Sequence, residues 1–371
     1  MQQIETVVVQ KQERLLPGIH GLRGTAALAV VLYHLVHVGS MKPPDVFGFI
    51  SRDFGYSVHL FFVLSAFSLM YSTQPTLGRP NWLAAYLIKR FFRIAPLFYC
   101  MIVFEAGRQS VMGGGMPPLT TLLLNFSFAF GAVPFSGIVW GGWSVGVEMI
   151  FYAIFPVLIL QLRDHRSALV FLLLSLLVSY VTRAALTAQH LALTPQPKWD
   201  WSYFSFAPNL CFFAMGIYAF HVSRRFAASA LVRNGLAAVA IVLIGALLLT
   251  NLGKQIYTLG RLDILLWGAG LACLCAWQSL RPSRIFASPA MAYLGERSFS
   301  IYLLHPVIIA AIKGRLAGLY ELLQPSLGAY AYFACAILVI AIVLAASEVS
   351  YRLVEAPGIR LGRRLLVRSS A

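Results

Sequence analysis

Apolar residues in this chain form long stretches that alternate with short segments rich in charged residues, glycine and proline. About ten of these stretches approach the roughly 20 residues that an α-helix needs to cross the hydrocarbon core of a membrane. They cover residues 19–38, 56–72, 94–112, 143–161, 167–186, 203–222, 232–250, 261–279, 298–318 and 328–349. The pattern predicts an all-α, polytopic integral membrane protein with about ten transmembrane helices.

One apolar stretch, Leu119–Val133, is shorter than the others and lies between the segments GGGMPP and AVPFSG. Its length is more typical of a re-entrant or interfacial segment than of a membrane span. We therefore expect it not to cross the membrane. If it does cross, the orientation of every later helix inverts.

Composition agrees with the apolar pattern. Hydrophobic residues make up 59% of the chain and charged residues only 11%, and the mean hydropathy is +0.76. A soluble domain of this length carries about a quarter charged residues, so composition excludes an ordinary soluble protein.

The distribution of lysine and arginine predicts the orientation in the membrane. With the N-terminus in the cytoplasm, about two-thirds of the 29 basic residues fall in cytoplasmic segments. The positive-inside rule therefore places both termini in the cytoplasm. The predicted organisation is an N-terminal tail (1–16), a membrane domain (17–350) and a basic C-terminal tail (351–371). This bias and attraction to anionic lipid account for the net charge of +16, so no nucleic-acid partner is predicted.

Three further expectations concern processing, cysteines and metals. The first apolar stretch follows a polar segment of mixed charge and contains Arg23, so we expect it to be retained rather than cleaved as a signal peptide. The five cysteines lie in apolar spans without CxxC spacing, which predicts neither a disulfide framework nor a zinc site. His34 and His37 are one turn apart but lack an HExxH motif, so no metal is predicted.

Arg23 and His34 lie within one apolar segment, GLRGTAALAVVLYHLVHV. Charged and titratable groups inside a membrane helix are costly and usually functional. Their separation of eleven residues is close to three turns, so both side chains share one helix face about 16 Å apart along the axis. That face is predicted to look into protein or water.

Polar residues also interrupt the second and third spans. His59 and Ser65 lie in the second span, where helix packing and a role in proton transfer or ligand contact are both open readings. Lys89, Arg90 and Arg93 cluster at the mouth of the third span, just before a proline. They are read either as ordinary positive-inside anchors or as a polyphosphate site.

Glu148 lies several residues inside a predicted span, one helical turn after Ser144. An intramembrane carboxylate is usually functional. It can also pair with a buried arginine for structural reasons, and Arg23 is the obvious candidate. The two roles are compatible.

The segment SFSIYLLHP places Ser298, Tyr302 and His305 at positions i, i+4 and i+7 of a helix. Side chains with this spacing stack on one face. We predict that they form a polar lining.

A similar spacing recurs near the C-terminus in Glu348, Arg352 and Glu355. This pattern is read as a structural ladder of ion pairs at the exit from the membrane.

The chain resembles acyltransferase family 3, whose members are integral membrane O-acyltransferases that modify surface polysaccharides, lipopolysaccharide, peptidoglycan, antibiotics and symbiotic signalling sugars. The resemblance is carried by five segments that follow the family's order. They are LRGTAALAVVLYH, LFFVLSAF, KRFFRIAP, WSVGVE (which begins at Trp143) and SFSIYLLHP.

The resemblance implies transfer of an acyl group, usually acetyl, from cytoplasmic acyl-CoA to a hydroxyl of a glycan or glycolipid. It implies that His34 is the general base, that Arg23 and Glu148 accompany it, and that acyl-CoA is a substrate rather than a bound cofactor. The implied CoA-phosphate ligands are Lys89, Arg90 and Arg93. Residues implied or read as lining the site are His59, Ser65, Trp143, Ser144, Ser298, Tyr302 and His305.

The resemblance also implies a bacterial inner membrane and, because the chain ends soon after the last span, the absence of the extracytoplasmic domain that some members carry. Two positions depart from the family pattern, since His20 and His59 stand where an acidic residue is frequent. The departures change the charge around the first two helices and so concern the acceptor pocket. The alternative function is a transporter or flippase, because intramembrane Arg, Glu and His also form substrate and proton pathways.

Overall fold

The computed structural model describes residues 16–133, 135–193, 201–250 and 262–368. Residues 1–15 of the predicted N-terminal tail and the last three residues of the predicted C-terminal tail lie outside this part of the chain. Throughout the described ranges the regular elements are helices, which confirms the predicted all-α class.

The structure has a helix at each of the ten predicted spans. Within the described residues, the α-helices of eight or more residues are α1 (Pro17–His37), α2 (Ser57–Thr73), α3 (Trp82–Gln109), α4 (Leu119–Phe126), α5 (Trp143–Gln161), α6 (His165–Leu193), α7 (Phe206–Arg225), α8 (Ala230–Leu249), α9 (Leu262–Leu280), α10 (Pro289–Leu327), α11 (Ala331–Ser350) and α12 (Ala356–Arg368). Within the described residues, eight stretches are long and apolar enough to cross a membrane, and the last of them contains both α10 and α11. The predicted third span, in α3, falls outside these eight because charged residues punctuate it.

The short apolar stretch 119–133 contains helix α4. The helix contains eight residues and is therefore about 12 Å long, much less than a bilayer core. A 3-10 turn, Ala129–Ala132, follows it and packs against the start of α5. Half of the residues of α4 are exposed, and Asn125 is its one buried residue. The length of the helix agrees with the expectation that the segment does not cross the membrane.

Contacts between helix ends relate the directions of α1, α9 and α11. The start of α1 lies against the end of α9, where a Cβ on Gly18 would be 2.5 Å from the carbonyl oxygen of Gln278. At the other end of α1, the Tyr332 hydroxyl at the start of α11 donates to the carbonyl of Leu32 at 2.8 Å. These contacts fix the relative sides of the helix ends.

The pairing of α1 with α10 decides where His34 lies. Ser288 caps α10, since its hydroxyl accepts from the amide of Met291, and Pro289 occupies the first helical position. A Cβ on Gly295 would lie 2.1 Å from the carbonyl oxygen of His20. Only glycine allows this close approach of backbones, which holds the two helices side by side.

The predicted C-terminal tail is largely helical. A π-turn at Tyr351–Glu355 continues α11 into α12. Helix α12 packs on α3, where Gly358 faces Pro96 and Gly362 faces Phe92. The basic segment is therefore attached to the membrane domain next to the cationic cluster of α3.

Candidate functional site

His34 and His305 contact each other where α1 and α10 run side by side. The His34 Nδ1 atom lies 3.1 Å from His305 Nε2 and 3.0 Å from the carbonyl oxygen of Val30. His305 Nδ1 lies 3.0 Å from the carbonyl oxygen of Ile301. His305 is almost fully buried, whereas His34 is half-buried.

The hydrogen bonds assign the tautomers of the two neutral imidazoles. A carbonyl only accepts, so His305 Nδ1 carries the hydrogen that goes to Ile301, and His305 Nε2 is an acceptor. His34 Nδ1 must then carry the hydrogen shared between Val30 and His305. The lone pair of His34 Nε2 is left available to take a proton.

Tyr302 links this histidine pair to α5. Its hydroxyl donates to the carbonyl of Gly141 at 2.8 Å and lies 2.7 Å from the hydroxyl of Ser144, which donates in turn. The ring of Tyr302 is 5.9 Å from that of His305, centroid to centroid. Tyr302 and His305 therefore do share a polar face of α10, as the spacing predicts.

Glu148 accepts two hydroxyl hydrogen bonds on one carboxylate oxygen, Oε1. The donors are Ser65 from α2 and Tyr152, one turn along α5. Tyr86 of α3 donates to the backbone carbonyl of Tyr152 at 2.9 Å. The second carboxylate oxygen of Glu148 makes no hydrogen bond within the described residues. Sequence reasoning missed Tyr152, although its i+4 spacing from Glu148 was a usable signal.

Arg23 lies on the same helix as His34 and is half-buried. It is within electrostatic range of Tyr152, Glu148, Arg90 and Arg93. Among the residues that the structure describes, it makes no ion pair with Glu148. The candidate Arg23–Glu148 ion pair is therefore not formed, although the two charges are close enough to interact electrostatically.

The three cations near the start of α3 differ in burial, since Lys89 is exposed whereas Arg90 and Arg93 are half-buried. Arg93 Nη1 donates to Glu355 at 2.7 Å, and Glu355 is buried and also accepts from Ser300. Arg93 is thereby ion-paired. Glu355 does not join the predicted ladder, whose remaining members, Glu348 and Arg352, do pair.

Arg90 faces a cavity of about 400 Å³ between α3 and α5. The cavity is mainly apolar, with Arg90 and Tyr152 as its polar lining and Met149 and Ala153 among its apolar walls. The buried Nε atom of Arg90 has no hydrogen-bond partner. Of the predicted phosphate ligands, Arg90 therefore lines this cavity, whereas Arg93 is held in an ion pair.

The remaining predicted lining residues lie in packed surroundings. His59 is buried, with its ring 4.3 Å from that of Phe212. Trp143 packs on Tyr203 at 4.9 Å between ring centroids. Ser298 donates to the carbonyl of Gly295 in its own helix at 2.9 Å. The structure does not bring these three side chains to the polar groups of Glu148.

Comparison with known proteins identifies the domain. Residues 16–346 match the family model described as an acyltransferase domain. The chain is 24% identical over 373 aligned positions to the peptidoglycan O-acetyltransferase OatA of Listeria monocytogenes, covering 93% of this chain and 56% of that protein. The chain thus spans little more than half the length of this relative. No solved structure matches. Because the family model covers nearly the whole chain, the protein belongs to acyltransferase family 3.

Proposed function

We propose that this protein is a membrane O-acyltransferase that moves an acyl group, acetyl in the simplest case, from acyl-CoA to a hydroxyl of a glycan or glycolipid. The observation that carries the proposal is the free Nε2 lone pair of His34, in a ring held by Val30 and His305. Membership of the family and the similarity to OatA support the reaction class.

His34 acts as the general base in the proposed reaction. Its Nε2 takes the proton from the acceptor hydroxyl while the oxygen attacks the thioester carbonyl. The carbon–sulfur bond breaks, and the departing CoA thiolate takes the proton back from the imidazolium. Atoms and charge then balance, and His34 returns to its neutral form.

His305 is a positioning residue in this scheme. By accepting the Nδ1–H of His34, it fixes the tautomer and directs the opposite nitrogen at the acceptor. Tyr302 anchors the same helix face to α5 through Ser144. A base held in one orientation is worth more than a mobile one, because misplacement by about 1 Å can cost 100-fold in rate.

The cationic groups are proposed to hold the phosphates of the donor. Arg23 lies about 16 Å from His34 along the axis of α1, so it does not act on the attacking oxygen. In CoA, the extended pantetheine arm similarly separates the thioester from the phosphates. We assign Arg23 and Arg90 to the phosphates, with Lys89 nearby on α3, and leave Arg93 to its partner Glu355.

The donor is proposed to enter from the cytoplasm of a bacterial cell, with both chain termini on that side of the inner membrane. The excess of basic residues on the side of the α1 start supports this orientation. The acceptor is then an exported glycan. The name of the relative, a peptidoglycan O-acetyltransferase, supports a cell-surface glycan as the acceptor class.

The test is acetyl transfer by the purified protein in lipid vesicles. Acetyl-CoA labelled in its acetyl group is supplied with a panel of glycans that includes peptidoglycan fragments, and both free CoA thiol and acetylated glycan are measured. We expect equal amounts of thiol and product. Glycan exchange across the vesicles without acetyl-CoA, together with no transfer to any acceptor, would contradict the proposal and favour a transporter.

A further inference from the structure

A second cavity, lined by polar residues, lies where the ends of α2, α5 and α7 meet the start of α6. Its volume is about 340 Å³. We call it the basic cavity. It is lined by Gln74, Arg163, His165, His221, Arg224 and Arg225. None of them belongs to the candidate acyl-transfer site described above.

Neutral partners hold the arginines of the basic cavity. Arg225 Nη1 donates to His165 Nδ1 at 3.0 Å, so this nitrogen of His165 carries no proton. Arg224 Nη1 donates to the amide oxygen of Gln74. Arg163 donates from Nε to a backbone carbonyl at 2.9 Å. None of these three partners is a carboxylate, so within the described part of the chain the hydrogen bonds position the guanidinium groups without forming an ion pair.

The neighbouring acidic residue, Asp164, accepts hydrogen bonds at the start of α6. Asp164 accepts the backbone amide of Ser167 at 2.8 Å and its hydroxyl at 2.9 Å, capping α6. These hydrogen bonds from Ser167 lower the pKa of Asp164. Its charge reaches His221, but its side chain does not line the cavity.

We propose that the basic cavity binds a phosphate group carried by an anionic ligand. Guanidinium groups match phosphate oxygens through paired, charge-assisted hydrogen bonds. Three guanidinium groups around one cavity carry more positive charge than a single carboxylate can neutralise. Within the described residues, the two terminal nitrogens of Arg163 make no hydrogen bond, so they are available to such a ligand.

Two sources of phosphate reach this end of the helices. One is the headgroup of an anionic membrane lipid, and the other is a soluble nucleotide-type ligand such as the donor. The shared chemistry is the phosphate. The proposal does not rest on the proposed acyl transfer, because it is tested by binding alone.

The test is ligand-dependent thermal stabilisation of the purified full-length protein in neutral detergent. The probes are short-chain phosphatidylglycerol, adenosine 3′,5′-bisphosphate and, as the zwitterionic control, short-chain phosphatidylcholine. Titration gives an apparent Kd because a ligand that binds the folded state raises the Tm. The variants are Arg163→Gln in the cavity and Arg281→Gln, an exposed arginine at the end of α9 on the same side.

We expect phosphatidylglycerol or the bisphosphate to raise the Tm of the unmodified protein and of Arg281→Gln. Arg163→Gln should weaken the apparent Kd by about tenfold, the scale of one lost charge-assisted bond. The probe that loses affinity identifies the source of the phosphate. The proposal is overturned if neither probe stabilises the protein more than phosphatidylcholine, or if the two variants lose affinity equally.

Discussion

At the scale of single residues, polar partners separate groups that sequence alone treats as equivalent. Arg90 and Arg93 lie one turn apart in a single cationic motif. Of the two, Arg93 forms an ion pair with the buried carboxylate of Glu355. Glu355 also accepts a hydrogen bond from Ser300, which lies 55 residues earlier in the sequence. Spacing along α3 cannot reveal a partner that comes from the far end of the chain.

This difference predicts opposite phenotypes for two matched substitutions. Arg93→Gln leaves Glu355 buried without its cation, which costs about 3–5 kcal/mol of stability. Arg90→Gln breaks no ion pair and should leave the Tm nearly unchanged, while raising the KM for acyl-CoA by about tenfold. Thermal denaturation and steady-state kinetics of the two variants measure both effects.

The double variant Arg93→Gln/Glu355→Gln is the control for the first effect. Removing both charges should restore part of the lost stability, because neither group is then left unpaired. An Arg93→Gln protein as stable as the unmodified one would contradict the structural role of this ion pair.

At the scale of helices, close packing of glycines positions the histidine pair. The apolar pattern predicts both α1 and α10, but it does not predict that they lie against each other. That contact depends on Gly24 and Gly295, which let the two backbones approach. The sequence predicts that Arg23 and His34, eleven residues apart, share one face of α1. It does not predict the hydrogen bond between His34 and His305.

A pair of alanine substitutions in α10 tests this packing. Gly295→Ala places a Cβ 2.1 Å from the carbonyl oxygen of His20, so the helices must separate. We expect a loss of about 1–3 kcal/mol of stability and a fall in acyl transfer as His305 moves from His34. Gly314→Ala, in the same helix, meets nothing within 4 Å and should be neutral or slightly stabilising.

Melting temperature and transfer rate are measured for both variants at equal expression. If Gly295→Ala and Gly314→Ala behave alike, the close approach of α1 and α10 is not what positions the histidines.

At the scale of the whole molecule, the hydrophobic pattern predicts the all-α class and places a helix at each of the ten predicted spans. It misjudges lengths, since α10 has 39 residues and begins nine positions before the predicted span. The extra turns at its start carry Tyr293 and Arg297, which donate hydrogen bonds to Glu348 of α11. Polar residues thus continue the helix beyond the apolar stretch that hydropathy detects. The basic cavity was also hidden, because its arginines come from separate helix ends that meet only in the fold.

The topology makes a direct prediction about sidedness. Because α4 is too short to cross, its flanking positions Met116 and Val133 should both face outward, opposite Arg281. In a background with the five native cysteines replaced by alanine, cysteine is introduced at one of these positions at a time. A membrane-impermeant maleimide applied to intact cells should label positions 116 and 133 but not position 281.

Labelling of position 281 in intact cells would show that the orientation is the opposite of the proposed one. Different labelling of positions 116 and 133 would show that the chain crosses between them.

The central claim is that His34 is the base that accepts the proton of the acceptor hydroxyl. The most direct measurement is the kcat for acetyl transfer by His34→Gln beside His37→Gln, one turn further along α1 and exposed, with its Nε2 3.0 Å from the carbonyl oxygen of Ser51. General-base catalysis contributes about 100- to 10,000-fold. We therefore predict at least a 100-fold loss for His34→Gln at an unchanged Tm, and activity near that of the unmodified protein for His37→Gln. Equal kcat values for the two variants, with both folded, would contradict the account.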